Sequence, residues 1–106
     1  MTTEELIDNL AIPVDGEKDQ REIIIFTLST CMWCKKCKRW LNERNIKYRY
    51  IDMDQIQYSQ KSEILGYLQR NYQQRISYPY MVCDKRDIVV GYNPDKYEEI
   101  MKEGSE

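Results

Sequence analysis

The chain of 106 residues contains no histidine. That absence removes Ser-His and Cys-His nucleophilic pairs, histidine general acid–base catalysis and every His-containing metal site. Long apolar runs are missing too. None is longer than Ile23-Ile24-Ile25-Phe26, far short of the roughly 20 residues a membrane helix needs. With four Gly and three Pro in a composition 42% hydrophobic and 32% charged, collagen-like, low-complexity and wholly disordered chains are excluded, and one compact domain is expected. Neither sign of charge dominates: 16 Lys plus Arg stand against 18 Asp plus Glu, a formal −2, so no global basic field exists to hold nucleic acid. The nine tyrosines, Tyr48, Tyr50 and Tyr58 among them, are therefore not read as a base-stacking surface. The first twenty residues lack both a basic start and an apolar signal core, so a cytoplasmic protein without a membrane partner is expected.

Four cysteines are present: Cys31, Cys34, Cys37 and Cys83. In a compartment that keeps thiols reduced, clustered cysteines signal redox chemistry or metal binding more often than a disulfide framework.

The acidic segment 1–21 reads as an N-terminal extension, with a short helix from Glu4 to Leu10 capped by Thr2 or Thr3 and ended by Ile12-Pro13. Asp15 to Gln20 reads as linker. Residues 22–103 hold the main domain, and 104–106 read as a frayed tail. Ile23 to Leu28 is apolar without alternation, as in a central strand covered on both faces. Ser29-Thr30 offers a cap for an amphipathic helix over Cys31 to Asn45, with Cys34, Cys37 and Leu41 on one face. Lys47 to Asp52 alternates like a half-exposed strand and completes a βαβ unit, so the two strands should be parallel. Ile64, Leu65, Leu68 and Tyr72 space a helix from about Ser59 to Tyr72. Ser77 to Cys83 predicts a strand opened by proline, Asp84 to Asp87 a hairpin turn, and Ile88 to Val90 its antiparallel partner. Asn93 as cap and Pro94 at the first helical position start a last helix to about Lys102. The order is βαβαββα, an α/β arrangement of a four-stranded mixed sheet flanked by helices, with a short helical extension.

Cys31-Met32-Trp33-Cys34 follows the central strand where a helix begins. Disulfide exchange needs one exposed, ionised thiol and a second close enough to resolve the mixed disulfide. Cys31 at the helix start meets the positive end of the helix dipole and unpaired N–H groups, which suit a nucleophile, while Cys34 sits one turn inside as resolving thiol. Here the chain resembles the glutaredoxins and the similar NrdH-type redoxins of the thioredoxin fold superfamily. The resemblance runs from about Glu22 to Met101 through the strand Ile23-Leu28, Cys31-Met32-Trp33-Cys34, Asp52, Ser77-Tyr78-Pro79 and Gly91-Tyr92-Asn93-Pro94-Asp95. It implies a dithiol oxidoreductase that reduces protein or low-molecular-weight disulfides. It also implies a cis Tyr78-Pro79 bond that sets a substrate backbone against Cys31.

Relatives that use glutathione commonly have a lysine near Leu28 and a Gly-Gly pair near Gly91-Tyr92, and both are missing. The resemblance therefore implies weak glutathione use and an external reductant of the thioredoxin reductase type, a ferredoxin-dependent reductase or another low-molecular-weight thiol. No bound cofactor is expected, and a monomer is. Trp33 and Tyr78 are read as an aromatic rim for a partner peptide, Lys35 and Lys36 as attracting acidic partners, and Lys38 and Arg39 as a solvated helix face. Cys37 makes the motif Cys-x-x-Cys-x-x-Cys and keeps a second reading open, a metal or iron–sulfur carrier. Against it, Lys35 to Leu41 looks helical rather than looped, and Cys83 lies four strand residues from Pro79, about 13 Å at ~3.3 Å per residue. Cys37 is read as a small hydrophobe facing the sheet, Cys83 as a buried strand cysteine and Trp40 as partly buried core.

Overall fold

The computed structural model describes residues 1–103, and the tail expected at 104–106 lies outside them. Its elements are α1 (Thr3–Leu10), β1 (Ile12–Val14), β2 (Ile23–Thr27), α2 (Met32–Glu43), β3 (Tyr48–Asp52), α3 (Tyr58–Tyr72), β4 (Tyr80–Cys83), β5 (Asp87–Val90) and α4 (Pro94–Glu103). The strands form one mixed sheet in the order β1-β3-β2-β4-β5. β2 runs parallel to β3, while β1–β3, β2–β4 and β4–β5 are antiparallel.

β2 is buried along its whole length, as its unbroken apolar run requires of a strand with helices on both faces. Because side chains alternate across a strand, Ile23 and Ile25 join Met81 and Cys83 beneath Cys37, Trp40, Leu41 and Tyr97 of α2 and α4. Ile24 and Phe26 join Tyr80 and Val82 beneath Ile7, Ile64 and Leu68 of α1 and α3. The result is an α/β thioredoxin-like fold.

Five strands stand where four were expected. Ile12-Pro13-Val14 does end α1, but it then pairs with Tyr48–Tyr50. A three-residue strand containing proline suits a sheet edge, where one missing N–H costs no ladder bond. Its pairing partner lies more than thirty residues away, so local sequence does not announce it. α1 is capped by Thr2 through a capping box with Glu5, and it packs on α3, with the Thr3 hydroxyl donating to Glu63 at 2.9 Å. The cap of α2 is Cys31 itself, not Ser29 or Thr30. At the far end Asn93 caps α4, accepting the Lys96 N–H at 3.2 Å, with Pro94 first in the helix. No helix among the described residues is long and apolar enough to cross a membrane.

Candidate active site

The parallel strands β2 and β3 end side by side at Thr27 and Asp52. The Thr27 hydroxyl donates to the Asp52 carboxylate at 2.5 Å, and the Lys38 ammonium reaches the same oxygen at 3.3 Å while lying 3.9 Å from the centre of the Tyr50 ring. This network ties α2 to the strand ends. Two residues further along each segment, the Ser29 N–H donates to Asp54 at 2.9 Å and the Ser29 hydroxyl donates to the same carboxylate. Those two bonds hold the Asp54 carboxyl down at about 2 and pin the loop that leads into the helix.

That loop delivers Cys31. Its N–H donates to the Leu28 carbonyl at 3.1 Å, and its sulfur accepts the Cys34 N–H at 3.2 Å in the manner of an N-cap oxygen. Cys31 is partly exposed, whereas Cys34, one turn in, has no accessible surface. Burial, with the neighbouring Cys31 sulfur adding to it, pushes Cys34 up to about 12, so Cys34 holds its proton at neutral pH. The first turn of the helix thus aims a backbone N–H at one accessible sulfur.

Burial above all, and secondarily the nearby Cys34, raises the Tyr78 phenol. The bond from Tyr78 to Pro79 is cis, and the buried Pro79 leads directly into β4. The Pro79 carbonyl accepts the Gly91 N–H at 2.7 Å, which joins this segment to the turn before α4. From that turn Tyr92 stacks on Trp33, with ring centres 5.9 Å apart and planes 27° apart. A run of contacts therefore joins Pro79, through Gly91 and Tyr92, to Trp33 between the two motif cysteines.

A family model described as glutaredoxin matches residues 23–87. The chain belongs to the glutaredoxin family. Among solved structures it is similar to the glutaredoxin of Methanosarcina mazei Go1, with a TM-score of 0.75, 25% identity and 86% of each chain covered. It is also similar to the methanoredoxin of Methanosarcina acetivorans, with a TM-score of 0.70 and 27% identity over 79% of this chain and 86% of that one. The gene 56 protein of Mycobacterium phage D29 is 27% identical over 79 residues, 74% of this chain and 81% of its own.

The remaining cysteines of the chain stand apart from the exposed surface. Cys37 has no accessible surface, and burial pushes its thiol up to about 11. Cys83 pairs with Ile23 at the start of β2, whereas Cys31 follows the end of that strand, so the two lie at opposite ends of the sheet. Among the described residues no three cysteine or carboxylate groups are placed together to hold a metal ion. Tyr48 and Tyr50 share one face of β3, but Tyr48 is buried, Tyr50 lies under Lys38 and Tyr58 is exposed on α3, so the three rings form no common exposed surface.

Two assignments change. Lys38 is not part of a solvated face: its ammonium lies over the Tyr50 ring and pairs with Asp52 across the strand ends. Trp40 is fully core, 5% exposed, with its ring edge against Tyr97. Sequence reasoning also missed Asp54 and the stacking role of Tyr92. For Asp54 the available signal was a carboxylate just past the strand that neighbours the Ser29 loop. For Tyr92 it was an aromatic residue between a glycine and a helix cap.

Proposed function

We propose that this glutaredoxin-family thiol redox protein reduces disulfides through a Cys31–Cys34 dithiol, with Trp33, Tyr78 and Pro79 forming the substrate surface. The observation that carries this reading is the asymmetry of the pair: an accessible sulfur with a backbone N–H aimed at it, and a buried, protonated partner one helical turn away. The Cys31 thiolate attacks one sulfur of the substrate disulfide. That bond breaks, a mixed disulfide forms, and the departing substrate thiolate takes a proton from solvent. Cys34 then gives up its proton and attacks the Cys31 sulfur, releasing the second substrate thiol and leaving a Cys31–Cys34 disulfide. Two electrons have passed to the substrate. Once Cys31 is in the mixed disulfide it carries no charge to oppose ionisation of Cys34, which removes one obstacle to the second attack.

Regeneration needs two electrons from an external donor: a thioredoxin reductase-type flavoprotein, a ferredoxin-dependent reductase or a low-molecular-weight thiol. Leu28 offers no charge to a glutathione carboxylate, and Tyr92 is occupied in the stack on Trp33, so glutathione is expected to serve poorly. In a disulfide-reduction assay, Cys34→Ser should accumulate a mixed disulfide, Cys31→Ser should be inactive, and Cys37→Ser should keep near-normal turnover at reduced stability. Equal inactivity of Cys37→Ser and Cys31→Ser, or a coloured, metal-loaded protein after oxygen-free purification, would overturn the scheme.

A further inference from the structure

Charge on this molecule is segregated. α2 carries Lys35, Lys36, Lys38 and Arg39 against Glu43 alone, a local +3 on a chain of net −2, so the remainder is at −5. Lys38 is neutralised by Asp52, but no carboxylate lies within ion-pair distance of Lys35, Lys36 or Arg39 among the described residues. Lys35 and Arg39 are one turn apart and both exposed. The two carboxylates nearest the strand ends are already engaged, Asp52 by Lys38 and Asp54 by Ser29.

Beside these cations lies apolar surface that the protein does not cover. Met32 is 62% exposed and Trp33 50%, both between the motif cysteines. Trp33 is not a loose side chain. It stacks on Tyr92, Tyr92 packs edge-on to Tyr97 at 6.0 Å, and the buried Tyr97 donates its hydroxyl to the Gly91 carbonyl at 2.7 Å. The Lys36 ammonium sits 4.6 Å from the Trp33 ring centre, on the same platform. An aromatic surface held rigid in advance and rimmed by unpaired cations loses little entropy on binding and attracts negative charge.

Resting on the oxidoreductase reading above, we infer that the preferred substrate is a disulfide in a polypeptide segment flanked by Asp or Glu, with Lys35, Lys36 and Arg39 steering its carboxylates and the Trp33–Tyr92 stack seating an apolar side chain beside the cystine. An acidic peptide rather than a nucleic acid fits because the positive field is confined to one helix of a net acidic chain. Tyr92 is then a specificity residue, since it builds the platform from below.

The test is a single-turnover measurement on the full chain, which needs no reductase. Fully reduced protein is mixed with oxidised peptides identical except for Glu, Gln or Lys beside the cystine, and thiol release is followed by acid quench. At low ionic strength the Glu peptide should react about tenfold faster than the Gln peptide and faster still than the Lys peptide, with the differences shrinking as salt is added. Lys35→Glu/Lys36→Glu should invert the order, and Lys35→Gln/Lys36→Gln should flatten it. Tyr92→Ala should slow the Glu peptide several-fold while leaving the salt dependence in place. Equal rates for all three peptides would overturn the inference while leaving the oxidoreductase reading intact; failure to reduce any peptide or a small neutral disulfide would overturn that reading itself. Displacement of the Glu peptide by a single-stranded oligonucleotide at equal charge concentration would also count against a peptide-specific surface.

Discussion

Cys31 and Cys34 are three residues apart, yet one is accessible and the other has no contact with solvent, because the helix begins between them. The same logic of a few ångströms governs Asp54, whose carboxyl is held from 3.8 down to about 2 by the Ser29 hydroxyl and N–H. A depressed folded-state value means that the unfolded chain takes up the proton first as pH falls. The contact's share of stability is therefore present above about 3.8 and lost as pH falls toward 2. Asp54→Asn should make the urea midpoint less sensitive to acid between pH 5 and pH 2.5 than in the wild type; parallel curves would mean the Ser29 contact carries no such share. At this scale the sequence was only partly legible. The roles of thiols are written in their spacing, since Cys-x-x-Cys after a strand places one sulfur at a helix start and one inside it. Lys38 was not legible, because a lysine flanked by other cations reads as solvated, and its partner Asp52 is reached only once β2 and β3 align.

At the scale of elements, periodicity worked where burial was two-sided or strictly one-sided. The run in β2, the apolar stripe of α2 and the Asn-Pro start of α4 each follow from a local physical requirement. It failed at β1, where three residues including a proline carry almost no period, and at the α2 cap, where a sulfur does the work usually done by oxygen. The cis Tyr78–Pro79 bond was foreseen by family resemblance, not by any property of the dipeptide. The segment after β1 supplies a test of close approach. A Cβ on Gly16 would come within 2.6 Å of the Ile46 carbonyl carbon and the Lys47 nitrogen, and 2.7 Å of the Asn45 oxygen. All three are backbone atoms of the α2–β3 connection, which also bonds Lys18 at both its N–H and its carbonyl. Gly16→Ala should lower stability by about 1–3 kcal/mol, read by urea unfolding. Gly66→Ala should act oppositely, gaining about 0.5–1 kcal/mol, because it sits inside α3 and its new methyl would meet only the movable end of Arg70. If both variants shifted stability in the same direction, crowding at Gly16 would not be the cause.

Taken as a whole, the molecule encloses three thiols in a sheet-and-helix interior that offers them almost no charge to balance. Cys34, Cys37 and Cys83 have no accessible surface, and all are free thiols. Burial pushes Cys37 and Cys83 each from 9.0 up to about 11, in the second case even with the Arg21 guanidinium nearby to favour the thiolate. Arg21 cannot do more because it is already bound to Asp84, Asp87 and the Ile100 carbonyl, joining the β4–β5 hairpin to α4. A raised folded-state value reverses the sign found for Asp54. Between about 9 and 11 the folded chain keeps protons that the unfolded chain has released, so stability is fully present below 9 and falls as pH rises through that window. The upper limit on the loss is roughly 1.4 kcal/mol per pH unit for each thiol. The buried phenol of Tyr48 and the partly buried one of Tyr72 add to it at higher pH, since desolvation takes both up to about 12. Unfolding under reducing conditions should therefore show a wild-type protein that weakens steeply from pH 9 to pH 10.5. The Cys37→Ala/Cys83→Ala variant should be less stable at pH 7, where it lacks well-packed sulfurs, but flatter in this range, so that the two curves approach each other. Parallel curves would show that the alkaline loss arises elsewhere, and would leave these two cysteines with packing as their whole contribution.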